Sequence, residues 1–468
     1  MSASDEFSSR LEAVLARELP GFKALDACQQ LTAGASQETY KITAACNTGD
    51  RKLALRRSPP TLDGESGVGG IRLSTEAKLF QLAGEAGIPG PAVLCVLAEA
   101  DGLGAGFRMD WLEGETLGQR IVRTDELASI RPTLAHSCGQ ILGRIHALDW
   151  QSADLQAELP SVDPMTLVNE TWAIYRDLKV PVPMIDYSWR WLLANPPGES
   201  PAALVHGDFR NGNLMVTPQG INAVLDWELA HIGDPVRDLG WLCVNSWRFG
   251  RRDLPVGGFG EIGDLLAGYR EVTGVDVSEE QLKFWQVFGS FWWAVTTLQM
   301  ANTWRTGETP SLERPVIGRR SSEAQMDCVN LIIPGPVTPP TPEQSIAEGT
   351  QLPMPAELLA GVIDFLKEEV APTMDARGGF LAKVSANSLQ IAQRELTLGP
   401  ELAAAELQRL LTLTQQSADL DHLRWLLVES LRGDLALDTP GLAQHLRATV
   451  AGQLAIDQPR YSALATAG

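Results

Sequence analysis

Three oxygen-bearing side chains sit at the ends of two apolar runs in this 468-residue chain. The run at 202–205 leads into His206-Gly207-Asp208, Asn213 follows five residues after Asp208, and a second run at 221–225 leads into Asp226. Short apolar runs bounded by turn residues read as buried strands, so all three side chains are expected at strand ends. Two carboxylates and an amide in this order suit phosphoryl transfer. One carboxylate orients and deprotonates an attacking hydroxyl, while the amide and the other carboxylate hold Mg²⁺ on a nucleotide's phosphates. Asp208, Asn213 and Asp226 fit those roles in sequence order. Turn formation alone accounts for Asp208 and Asn213, but not for a second, correctly placed Asp226.

The full pattern is His206-Gly207-Asp208-x-x-x-x-Asn213, then Asp226-Trp227-Glu228, then Gly233-Asp234-Pro235-x-x-Asp238-Leu239. It resembles the signature of the aminoglycoside/choline kinase-like phosphotransferases, relatives of the protein kinases, in which an H-R-D-x-x-x-x-N loop and a D-F-G segment carry the same functions. The resemblance implies an α+β, protein-kinase-like bilobal fold, with an antiparallel-sheet N-lobe over 1–113 and a mainly helical C-lobe over 114–333. It also implies ATP and Mg²⁺ as cofactors, Asp208 as the catalytic base, Asn213 and Asp226 as metal ligands, and a supporting role for Asp238 beneath the catalytic loop. Glu228 and His231 lie beside the metal site in sequence and are given no role.

Several elements must position these residues. Apolar residues at helical spacing over 5–19 predict a short lead helix. Segments 24–31 and 38–45 read as strands, and the small residues between them, including Gly34 and Ser36, would let backbone N–H groups approach a phosphate. A plain hairpin turn accounts for them equally well. The strand at 52–57, KLALRR, stands where kinases place a phosphate-binding lysine. Here the residue is Arg56, which keeps the charge and can grip phosphate bidentately but is not geometrically equivalent. An arginine there resembles the branch related to acyl-CoA dehydrogenase-linked kinases. A helix at 73–86 carries Glu76, which by resemblance pairs with Arg56; a solvent-facing glutamate is the alternative. Segments 92–98 and 106–112 complete a five-stranded sheet, and the backbone of Met109 to Trp111 resembles the family hinge that faces adenine. A helix over 132–148 ends near His146, which is read as a cap or packing residue.

The net charge of −20 argues against nucleic-acid or anionic-membrane partners, so an anionic substrate would need a local basic patch. The stretch Arg248-Phe249-Gly250-Arg251-Arg252 is a local basic cluster in the core of the chain, suited to coenzyme phosphates or simply to a solvated loop. Tryptophans cluster at 285–304, a region that forms part of the acceptor site in related kinases, and most of them are expected in the core. The six cysteines are scattered without metal-ligand spacing, and the first twenty residues read as an amphipathic helix and not a signal peptide. With no apolar run of membrane-spanning length, a cytoplasmic location is expected.

The segment 334–355, PGPVTPPTPEQSIAEGTQLPMP, reads as a proline-rich linker and the clearest domain boundary. Residues 356–468 then read as an all-α domain of five helices, with separate helices at 380–396 and 400–415. This tail resembles a helical accessory subunit found beside such kinases, through Ala386-Asn387-Ser388-Leu389, Arg394-Glu395-Leu396 and Asp457-Gln458-Pro459-Arg460-Tyr461. A chain cut at the linker is expected to fold on its own. Together the two resemblances imply an ATP- and Mg²⁺-dependent kinase for a small-molecule hydroxyl, with a 4-hydroxyacyl-CoA ester as acceptor. The alternatives are an aminoglycoside, choline or other metabolite kinase, and a pseudokinase scaffold. Oligomeric state is not legible.

Overall fold

The computed structural model describes residues 3–31, 37–58, 70–153, 155–308, 311–337 and 353–466. Gly34 and Ser36 lie outside the described residues. The chain divides into two compact units: the first comprises 1–163, 199–243 and 247–278, the second 164–198, 244–246 and 279–468.

In the first unit five antiparallel strands form one sheet: β1 (Phe22–Leu31), β2 (Glu38–Cys46), β3 (Arg51–Arg57), β4 (Val93–Val96) and β5 (Gly106–Asp110), in the order β1-β2-β3-β5-β4. The alternation along β2 turns Tyr40, Ile42, Ala44 and Cys46 inward. Against them the Ala3–Glu18 helix sets Leu11, Val14 and Leu15, each nearly fully buried, with Leu53 and Leu55 from β3 completing the cluster. Each such aliphatic side chain contributes about 1.5–3 kcal/mol on burial. The Leu73–Glu85 helix buries Leu73, Ala77, Leu79 and Phe80, and the same apolar stripe takes Glu76 under with it.

Later in this unit come β6 (Ala203–Val205), β7 (Leu214–Thr217), β8 (Gly220–Val224) and β9 (His231–Gly233). β6 pairs with β9, and β7 with β8. Sequence reading anticipated β6 and β8 and missed their partners, which are too short to carry a periodic signal. Gly207 stands just beyond β6 at φ 85°, where an added Cβ would lie 2.3 Å from the Leu229 carbonyl oxygen. Only glycine serves at that turn. Asp234 accepts from the Val236 N–H at 2.9 Å, at the start of the following helix, Val236–Leu242.

The second unit is helical. It joins Pro164–Asp177, Pro183–Ala194, Glu279–Arg305, Glu313–Arg319 and Ser321–Ile332 to Pro355–Asp364, Ala376–Thr414, Leu420–Arg432 and Leu442–Asp457. The boundary between units therefore does not fall at 334–355, because helices on both sides of that segment belong to one unit. Polar contacts explain the union: Tyr461 donates to Asp327 at 2.8 Å, Asn330 to the Ala463 carbonyl at 3.0 Å, and Arg319 lies 3.1 Å from Asp457. Of the tail residues singled out by resemblance, Glu395, Asp457 and Tyr461 make such contacts, and Arg394 donates within the tail to the Asp457 carbonyl.

Two expectations are corrected here. The predicted helices at 380–396 and 400–415 are one helix, Ala376–Thr414, with Pro400 inside it. Proline removes one backbone donor, but Leu398 and Leu402 pack with Ile391, Ile456 and Val316 across that position and hold the helix together. Among Trp285, Trp292, Trp293 and Trp304, only Trp285 is fully buried, and Trp304 is 47% exposed.

Candidate active site

The loop after β6 carries Asp208. Its Oδ1 accepts from Arg210 Nε and from Trp241 Nε1, both at 2.8 Å, and its Oδ2 accepts from Asn213 Nδ2 at 2.6 Å. Three donors fix the carboxylate's orientation, and an ionised carboxylate has room for a fourth. Arg210 is itself held by stacking its guanidinium 4.3 Å from the centre of the Trp247 ring. Sequence reasoning missed Arg210 and Trp241. Arg210 is two residues from Asp208 and was open to notice; Trp241 is 33 positions away, and nothing short of the tertiary fold brings it there.

Asn213 also donates to the Asp208 carbonyl at 2.9 Å, so its N–H groups face Asp208 and its carbonyl oxygen is left as an acceptor. The Leu225 N–H donates to the Asn213 carbonyl at 2.8 Å, which ties the loop before β7 to the end of β8 and brings Asp226 alongside. Asp226 adopts φ 65°, the left-handed region that a non-glycine residue seldom occupies. A strained backbone at a carboxylate between two short strands is a conformation held in place by its surroundings.

Arg56, at the register position opposite Phe107, reaches this point from β3. Its Nη2 lies 2.6 Å from Asp226 Oδ1 and 3.2 Å from Glu228 Oε2, and its Nε lies 3.1 Å from Glu76 Oε2 and 2.6 Å from Gln37 Oε1. Glu76 is 1% exposed. Burial pushes its carboxyl up to about 7, against the opposing pull of Arg56 and with the neighbouring charges of Asp226 and Glu228 adding to the rise. The Trp227 N–H donates to its other oxygen at 3.3 Å. Four carboxylates, those of Glu76, Asp208, Asp226 and Glu228, thus face two guanidiniums, those of Arg56 and Arg210. This surplus of negative charge suits a divalent cation. An amide carbonyl oxygen and a carboxylate are the hard oxygen donors Mg²⁺ takes when phosphate and water complete its shell, so the residues present fit that ion.

Asp238 supports the loop from below. Its two oxygens accept from the N–H groups of His206 (2.8 Å) and Gly207 (2.9 Å), and His146 Nε2 lies 3.1 Å away. Burial would raise its pKa, but the hydrogen bond with His146 and the nearby His206 and Arg237 bring it down to about 2.

The hinge segment is partly committed. The Asp110 N–H donates to Ala92 and the Trp111 N–H to Lys52, while Met109 pairs across both β3 and β4. The Lys41 ammonium lies 4.3 Å from the centre of the Trp111 ring. The basic stretch is also largely occupied: Arg248 donates to the Cys243 carbonyl and Arg251 pairs with Asp253, whereas Arg252 is exposed.

Residues 27–274, more than half of the chain, match the family described as "Phosphotransferase enzyme family", APH. The chain belongs to this phosphotransferase family. Residues 372–461 match a second family, a domain of unknown function, DUF6285. Acyl-CoA dehydrogenase family member 10 of Mus musculus is 30% identical over 224 residues, covering 46% of this chain and 20% of that protein. Family member 11 of Rattus norvegicus is 28% identical over 289 residues, covering 59% of this chain and 34% of that protein. The phosphotransferase thus spans about a fifth and about a third of the lengths of these two relatives. Among solved structures, a protein of Ralstonia eutropha provisionally classed as an aminoglycoside phosphotransferase is similar in fold, with TM-score 0.56 and 20% identity, over 68% of this chain and 96% of that one. The chain is therefore an enzyme of the kinase type, on an α+β protein-kinase-like fold with a helical C-terminal region. Among the described residues, no helix is long and apolar enough to cross a membrane.

Proposed function

We propose that this phosphotransferase moves the γ-phosphoryl group of ATP to a hydroxyl on a coenzyme A ester, with a 4-hydroxyacyl-CoA as the acceptor. The observation that carries the reading is the convergence of Asp208, Asn213, Asp226 and Arg56 from three separate elements into one chain of hydrogen bonds and ion pairs.

Asp208 accepts the proton of the acceptor hydroxyl as its oxygen forms a bond to the γ-phosphorus, and the bond from that phosphorus to the bridging oxygen breaks to release ADP. Arg210, Trp241 and Asn213 hold the carboxylate still while this happens. Asn213 and Asp226 would hold Mg²⁺, which when bound supplies positive charge to the phosphate oxygens. Arg56, fixed by Glu76, exchanges part of its contact with Asp226 for phosphate, and the Met109 to Trp111 backbone lies against adenine. Gly34 and Ser36 belong to the phosphate loop in this reading.

The acceptor class rests on the two relatives, which are named as acyl-CoA dehydrogenase family members, and on the resemblance of the C-terminal helical region to an accessory subunit found beside such kinases. The occupied arginines at 248 and 251 lend it less support than the sequence suggested. Six free cysteines suit a cytoplasmic setting. A cationic acceptor such as an aminoglycoside is the second reading, favoured by the net charge of −20. The deciding experiment measures ATP-dependent phosphorylation of 4-hydroxyacyl-CoA, 3-hydroxyacyl-CoA, an aminoglycoside panel and choline by the full chain. Turnover confined to the hydroxyacyl esters is expected; turnover confined to an aminoglycoside or choline overturns the acceptor, and no turnover with any of them in the presence of Mg²⁺ overturns the reading as a whole.

A further inference from the structure

The second unit contains a cavity of about 270 Å³ lined by none of the proposed phosphoryl-transfer residues. Its apolar wall includes Val182, Met184, Leu298, Leu446 and Val450, contributed from both sides of the 334–355 segment. His445 also lines it, only 2% exposed, and neither ring nitrogen has a hydrogen-bond partner among the described residues. Burial holds this imidazole down to about 4, so it is neutral at physiological pH. A neutral imidazole presents one donor and one acceptor, and leaving both unmade in a buried place is unfavourable.

The charges around the cavity are already matched. Arg424 Nε lies 3.0 Å from Glu406 Oε1, and Arg319 Nη1 lies 3.1 Å from Asp457 Oδ1. Arg319 also reaches Glu395 at 2.9 Å outside the lining, and the charge of Arg409 acts on His445, but the lining itself holds two guanidiniums and two carboxylates and so carries no net charge. The volume equals that of roughly nine waters at about 30 Å³ each, near the lower end of small-molecule sites.

We propose that this cavity binds a small uncharged molecule with a short aliphatic body and a head group that both donates and accepts a hydrogen bond, the chemistry of a short-chain amide or alcohol. The head group meets His445, and the body lies along Leu298, Leu446 and Val450. Glu406, Arg424 and His445 follow residue 355 while Leu298 and Arg319 precede it, so the ligand would be held jointly by both stretches of the second unit.

The test uses the full chain and a matched series of pentanamide, pentanoate and pentylamine, read by saturation-transfer NMR together with the His445 ring resonances. Saturable binding of pentanamide that shifts those resonances is expected, with the two charged congeners at least tenfold weaker. Val450→Trp, which fills the cavity, removes the pentanamide signal. Glu406→Gln leaves Arg424 unmatched and moves the preference toward pentanoate by tenfold or more. Near-UV circular dichroism checks that the variants fold, and His445→Phe, which keeps the ring but not the nitrogens, replaces Val450→Trp if that variant does not. Absence of saturable pentanamide binding to the wild type, equal binding of all three probes, or binding unaffected by the cavity variants overturns the proposal and leaves a hydrated cavity only.

Discussion

The two units each gather arginines and acidic residues into a cluster, and they do so to opposite effect. In the first unit, four carboxylates share two guanidiniums, and Asp226 and Glu228 keep side chains about a third exposed. In the second, Arg424 answers Glu406 and Arg319 answers Asp457 beside an apolar wall. An unbalanced centre is costly in the free protein and becomes favourable when a cation and polyanion arrive together. A balanced centre gains nothing from added charge, because each buried ion is already compensated. The same residue types therefore build the proposed phosphoryl-transfer site in one place and line a cavity without net charge in the other.

The largest expected effect is on the second unit. A chain ending at Pro334 removes the contacts that Tyr461, Ala463 and Asp457 make with Asp327, Asn330 and Arg319. The proline-rich segment predicted independent folding, whereas the division into units predicts loss of cooperative unfolding in the remaining helices 279–332. Thermal unfolding followed by circular dichroism checks this, and an unchanged transition for the truncated chain would break the contrast between the units.

Next is Asp208→Asn, for which turnover should fall on the order of a hundredfold or more with nucleotide affinity nearly intact, because proton removal and orientation act on the acceptor. Steady-state kinetics on the identified acceptor, alongside calorimetry with ATP, separates the two quantities. Asp226→Ala should remove the Mg²⁺ dependence of nucleotide binding and weaken affinity by roughly tenfold or more, since a proposed metal ligand is lost. Calorimetry at two Mg²⁺ concentrations decides it, and unchanged metal dependence would sink the assignment.

The smallest effects are those of pH, and the two units should show them with opposite sign. Asp238 titrates near 2 when folded, below its ordinary value of 3.8, so its contribution of about 2 kcal/mol is present above 3.8 and is lost as pH falls toward 2. Asp457 is raised to about 6 by burial, partly opposed by Arg319. The folded state then binds more protons than the unfolded between 3.8 and 6, so stability declines as pH rises through that window and stays lower above it. Urea titrations at pH 3, 5 and 7 should show the advantage of wild type over Asp238→Asn shrinking on acidification, and its advantage over Asp457→Asn shrinking as pH rises. Parallel trends for the two variants would contradict the contrast.

Much of the first unit was legible. The five strands of its sheet follow from short apolar runs and the turn residues between them, with period-two alternation plain only along β2, and the Leu73–Glu85 helix from its apolar stripe. Spacing brought Asp208, Asn213 and Asp226 into consideration because they lie near one another in the chain. The boundary of the second unit was not legible, because composition at 334–355 reports a change in local pattern and says nothing about which helices meet. The continuous Ala376–Thr414 helix was hidden for a related reason: Pro400 is a local breaker overridden by side-chain contacts from distant residues.

The sequence by itself determined the kinase-type motif, the arginine in place of a strand lysine, and the helical character of the tail, since each depends on residue type and short-range spacing. The tertiary structure alone decided that Trp241 orients Asp208, that Glu76 is buried against Arg56, and that His445 faces a cavity with no hydrogen-bond partner among the described residues. Those outcomes depend on how much water each group loses and which charge it meets instead. Residues far apart in the chain set both quantities, and no local pattern encodes them.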